Sequence, residues 1–209
     1  MKMKVKICGM RDSDNIIAAA ELMPDIIGFI FYQSSARFAG ELLNPVTLPQ
    51  LPEGISKAGV FVNADYAVIC NTIQKYSLDI VQLHGAEPPE LCSRLRESGT
   101  TVIKAFHVDE TTRFRLFSQY IACSDFFLFD TTTKNYGGSG QKFDWTILQS
   151  YDLGHPFFLS GGIGPGDVPL IESIKNPSFH GVDLNSRFET EPGLKDIEKL
   201  KEFINELRH

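Results

Sequence analysis

Pro156-Phe157-Phe158-Leu159-Ser160-Gly161-Gly162-Ile163 is a short apolar run that stops at a hydroxyl and two glycines. Paired glycines at a strand end leave backbone N–H groups open to close approach by an anion. Near the start of the chain, Val5-Lys6-Ile7-Cys8-Gly9 is another strand, ending in a thiol that is followed at once by glycine. A reactive group closing the first strand and an anion cradle closing the seventh is the layout of a β/α barrel that binds phosphosugars.

Working outward from these two runs, short apolar stretches alternate with longer amphipathic ones. Further strands read at 26–30, 58–62, 80–83, 101–105, 126–129 and 179–183. Helical patterns lie at 65–76, 88–98, 110–121, 144–151, 166–174 and 194–207, and Asp12 or Ser13 can cap a first helix through Leu22. The second helix is expected to be short or irregular, because 41–52 holds Pro45, Pro49 and Pro52. Eight strands, each leading into a helix or its remnant, predict an α/β protein with a closed (β/α)8 TIM barrel in one domain over 1–209. The competing doubly wound sheet needs a G-x-G-x-x-G after strand one, where this chain has Cys8-Gly9-Met10-Arg11.

With 209 residues, 43% of them apolar, the chain can bury one sizeable core. A formal charge of −6, without a Lys/Arg cluster, gives no reason to expect nucleic acid. The four cysteines show no metal spacing, no apolar run is long enough for a membrane span, and residues 1–20 lack a signal-peptide pattern. A cytoplasmic protein with free thiols is the expectation.

In a barrel the active site lies at the C-terminal strand ends, so those residues can be read as a set. Gly161 and Gly162, Asn185 and Ser186, and Gly138 within Gly137-Gly138-Ser139-Gly140 are candidates to hold a phosphate, or else ordinary flexible connectors. Cys8 is either a small buried filler or a base; Asp130 either caps its loop or donates a proton. Arg37 is a solvated loop residue or a fork for a carboxylate, and His84 a strand-end histidine or a polar wall of the pocket. His107 and Asp109 lack a third ligand at sensible spacing, so no metal is expected. Strand parity puts Lys6 in the lumen with Cys8, where it needs a carboxylate; Asp183 on the neighbouring eighth strand is the candidate.

At these residues the chain resembles the phosphoribosylanthranilate isomerases. The shared motifs include Lys6-Ile7-Cys8-Gly9, Val81-Gln82-Leu83-His84-Gly85, Leu159-Ser160-Gly161-Gly162-Ile163 and Asp183-Leu184-Asn185-Ser186, in order along nearly the whole chain. The resemblance implies an Amadori rearrangement in tryptophan biosynthesis, in which a glycosylamine becomes a 1-amino-1-deoxyketose. It implies Cys8 as general base, Asp130 as general acid and Arg37 as binder of the anthranilate carboxylate. His84 and Asp183 complete the substrate-binding set, and no cofactor is needed. The implied partner is a small-molecule phosphosugar, with the chain a monomer or homodimer. Arg187 stands where the family commonly has glycine. A related histidine-pathway isomerase carries aspartate where Cys8 stands, and a non-catalytic phosphosugar binder would need neither Cys8 nor Asp130.

Overall fold

The computed structural model describes residues 3–40, 42–131 and 144–209. Eight parallel strands close into a barrel in chain order. They are β1 (Lys4–Cys8), β2 (Ile26–Ile30), β3 (Ser56–Phe61), β4 (Ile80–Leu83), β5 (Thr101–Val108), β6 (Phe126–Thr131), β7 (Phe157–Leu159) and β8 (Phe179–Leu184). Each strand is covered on both faces, which is why its sequence is a nearly unbroken apolar run. The lower lumen is filled by Ile26, Ala58, Ile80, Ile103, Ala105, Leu128 and Phe158, a small core separate from the larger one between sheet and helices. The alternate residues of the same strands face that larger core.

The helices are α1 (Ser13–Ala20), α2 (Tyr66–Tyr76), α3 (Pro89–Glu97), α4 (Val168–Ser173) and α5 (Ile197–Arg208). Asp12 caps α1 by accepting from the Asn15 N–H at 2.9 Å. As the prolines predict, the span after β2 forms only a 3₁₀ turn at Leu48–Gln50. Two expected helices are also 3₁₀ segments, Phe114–Tyr120 and Trp145–Ser150. Their core-facing residues recur every third position (Phe114, Phe117, Tyr120; Trp145, Leu148, Tyr151), a period that matches three residues per turn. Phe117 stacks on Phe106 with ring centroids 3.9 Å apart, and Phe114 packs on Phe129 and Tyr151.

The last helix also starts later than its apolar pattern suggests. Leu194–Lys195 is a strand, β10, paired antiparallel with β9 (Glu189–Glu191). Gly193 turns the hairpin at φ +87°, and Asp196 then caps α5 through the Lys199 N–H. The hairpin sits directly after β8 and carries two of the buried charges described below. A further buried pair lies outside the lumen: Lys104 meets Glu87 at 3.1 Å, while Glu87 accepts the Asn63 and Gly85 N–H groups. It ties together the loops after β3 and β4.

Candidate active site

A mouth of about 730 Å³, open to solvent, occupies the C-terminal end of the barrel. Its walls include Cys8, His84, Asp130, Gly161, Gly162, Asp183, Asn185 and Ser186. The structure therefore gathers these sequence-predicted residues, drawn from β1, β4, β6, β7 and β8, around one cavity. Gly138 lies outside the described residues.

Cys8 is only 3% exposed, at the top of β1. Below it Lys6, fully buried, donates to Asp183 Oδ1 at 2.8 Å, the partnership that parity predicts. The strands put these two residues in register. Ser160 Oγ donates to the other carboxylate oxygen at 3.2 Å. Burial opposes the Lys6 ammonium, but Asp183 and Cys8 outweigh it and hold its pKa above the ordinary lysine value. Burial pushes the Cys8 thiol up, while Lys6 and, more weakly, Lys195 pull against it. These two cations are what a thiolate here would lean on.

Room for the thiol is set by Gly28, its neighbour on β2. A Cβ there would stand 2.9 Å from Cys8 Sγ. Gly28→Ala is expected to fold, with about 1–3 kcal/mol lost to overpacking. It should displace the sulfur enough to lower kcat by about tenfold to 100-fold. Steady-state kinetics beside a thermal melt would check this, and unchanged kcat would mean that the Sγ position is not critical.

Asp130 closes β6. Its Oδ1 accepts the Thr131 N–H at 2.8 Å, and its Oδ2 lies 3.3 Å from His84 Nε2. Burial would raise this carboxyl, but the hydrogen bond and charge of His84, helped by His107, hold it below the usual carboxylate range. Asp130 is thus held in its ionised form. Gly161 presses its backbone against the same group: a Cβ there would be 2.7 Å from Asp130 Oδ1, at a φ of +86° that favours glycine. Gly162 follows at +71°, so the loop after β7 opens on a left-handed glycine pair that side chains would disfavour.

Arg37 does not line the mouth. It is held just behind, over Gly9 and beside Asn185, with Nε and Nη2 donating to Glu189 of β9 at 2.7–2.9 Å. Lys195 of β10 donates to Glu189 at 2.6 Å and to Asn185 Oδ1 at 2.8 Å. With its oxygen engaged by Lys195, the Asn185 amide has its N–H donors left for a ligand. Burial disfavours the charge on Glu189, yet Arg37 and Lys195 hold its pKa low. Sequence reading missed Glu189 and Lys195; the turn Pro192-Gly193 between two short alternating runs was the available signal. Arg187 adopts no left-handed conformation, and its stem lies over Gly164.

Residues 5–206 match the family model described as N-(5'-phosphoribosyl)anthranilate (PRA) isomerase. An N-(5'-phosphoribosyl)anthranilate isomerase of Parabacteroides distasonis is 44% identical, covering 99% of this chain and 94% of that protein. The crystal structure of phosphoribosyl anthranilate isomerase from Thermotoga maritima superposes with a TM-score of 0.85 at 34% identity, covering 98% of each chain. A second structure of the enzyme, in complex with reduced 1-(o-carboxyphenylamino)-1-deoxyribulose 5-phosphate, gives 0.81 at 31% identity, again over 98% of each.

Proposed function

The chain belongs to the N-(5'-phosphoribosyl)anthranilate isomerase family, and we propose that Cys8 and Asp130 carry its reaction across the barrel mouth. The protein is an isomerase of tryptophan biosynthesis that converts N-(5'-phosphoribosyl)anthranilate to the corresponding 1-amino-1-deoxyribulose phosphate. The observation supporting this assignment is that β1 and β6 stand nearly opposite in the closed ring, with the anion rim of β7 and β8 between them. A phosphate on Gly161, Gly162, Asn185 and Ser186 suspends the ribose between thiol and carboxyl.

Asp130 gives its proton to the ribose ring oxygen, and the ring opens to a Schiff base. Cys8, as thiolate, takes the proton on C2, and the resulting enolamine tautomerises to the ketone. Each step asks for one acid or one base. Because burial favours the Cys8 thiol and His84 favours the Asp130 carboxylate, turnover runs through the minor form with the proton on Asp130. His84 and Asp183 face the sugar from the cavity wall. Arg37, held by Glu189 behind the cavity wall, is the residue to which this reading assigns the anthranilate carboxylate.

All these groups come from one chain, so a monomer and a homodimer would each carry a complete site. The free cysteines fit a reducing cytoplasm. Among the described residues no helix is long and apolar enough to cross a membrane.

The test follows the loss of anthranilate fluorescence when freshly made substrate meets the protein in chelator. Wild type should consume it rapidly, and Asp130→Asn about 10²–10⁴-fold more slowly. The kcat/KM profile should be bell-shaped, with an acid limb below the usual carboxylate range and a basic limb above the usual thiol range. Near-wild-type turnover in Asp130→Asn would sink the acid assignment.

A further inference from the structure

Strand pairing places His107 of β5 beside Asp130 of β6, and His84 stands at the end of β4 on the other side of His107. The two imidazole rings lie 5.5 Å apart, and one ligand atom from each of His84, His107 and Asp130 falls within 4.8 Å of the others. We propose that these three side chains form a site for a zinc-class divalent cation, and that its occupancy switches the isomerase off. Sequence spacing hid the group, since the third ligand to His107 comes from across two strands rather than from nearby Asp109.

The geometry suits such an ion. Metal–ligand bonds of about 2.0–2.1 Å at tetrahedral angles put neighbouring ligand atoms about 3.4 Å apart. His84 Nε2 and Asp130 Oδ2 already stand 3.3 Å apart, and a ring nitrogen of His107 lies within 4.8 Å of the pair. Outer partners are also in place. Asp130 Oδ1 is held by the Thr131 N–H, and the His84 Nδ1 lies 2.9 Å from the Gln82 amide. When the ion takes Nε2, the ring proton moves to Nδ1, where Gln82 turns its oxygen to accept it. Three protein ligands leave a fourth position open, and His84 and Asp130 both face the mouth.

Switching off follows because the ion occupies Asp130 Oδ2, and so this consequence rests on the reading of Asp130 as the acid. Binding by itself does not. The first experiment titrates the chelator-stripped protein with CoCl₂ and records the visible spectrum, then repeats the titration with ZnCl₂ in a calorimeter. One ion per chain is expected, with cobalt ligand-field bands and no strong thiolate charge-transfer band. His107→Gln, shown to be folded by circular dichroism and a thermal melt, should bind at least about tenfold more weakly.

In the fluorescence assay, ZnCl₂ should inhibit wild type over its binding range, reversibly by chelator, and His107→Gln at correspondingly higher concentration. No saturable binding, a thiolate band, or full affinity in His107→Gln would overturn the site while leaving the role of Asp130 untouched. Binding at the site without inhibition would instead overturn both the switch and Asp130 as acid.

Discussion

Cys8→Ala is expected to lower turnover by about 10²–10⁴-fold while leaving substrate binding nearly intact. The loops proposed to hold the phosphate, His84 and the Arg37–Glu189 pair lie on other elements, so binding should survive loss of the thiol. The side chain removed is small, and the site is 3% exposed, so the fold should tolerate the change. A filler cysteine would behave differently, costing a little stability and no activity. The measurement is kcat by fluorescence decay, with KM or direct calorimetric binding of a reduced product analogue alongside. A variant within tenfold of wild type would remove Cys8 from the mechanism. The base would then have to be sought elsewhere on the cavity wall, with His84 the next group to test.

Glu189→Ala is expected to cost about 3–5 kcal/mol of stability, because it strands two buried cations. The Glu189 side chain is 4% exposed, Arg37 10% and Lys195 0%, so neither base can turn to solvent without rearranging the β9–β10 hairpin. For a chain of this size, that loss shifts Tm by roughly 6–20 °C. KM should rise as well, since Arg37 loses its orienting carboxylate and Lys195 its hold beside Asn185.

The pH dependence has a definite sign. The folded pKa of Glu189 is depressed, so its contribution is complete above the unfolded glutamate value of about 4.3 and disappears as pH falls through the lower folded value. Wild type and variant should therefore differ fully at neutral pH and converge in acid. Chemical denaturation at several pH values checks this. A variant as stable as wild type at pH 7 would mean that water, not Glu189, satisfies the two cations.

The residues that sequence reading could place are those whose local pattern carries its own physics. Buried parallel strands read as apolar runs, so all eight were visible, and the prolines of 41–52 excluded a regular helix there. Strand parity paired Lys6 with Asp183, because closing the ring brings β8 beside β1 whatever the loops do. Cys8, Asp130, Gly161 and Gly162 could be named from their position at strand ends. Periodicity at Phe114, Phe117 and Tyr120 was present but read as α-helix, since a span of two turns barely separates three residues per turn from 3.6.

What only the tertiary structure decided are the contacts between loops that are distant in sequence. Glu189 reaches Arg37 across 152 positions, and Asp130 draws in His84 and His107 from two other strands. Those meetings also set the charge states. His84 keeps Asp130 ionised although its strand is rich in phenylalanine, and burial keeps the proton on Cys8 despite two nearby lysines. A residue type and its neighbours in the chain determine which groups can exchange protons. Which form they hold depends on burial and on charges a few ångströms away, and those follow from how the barrel closes.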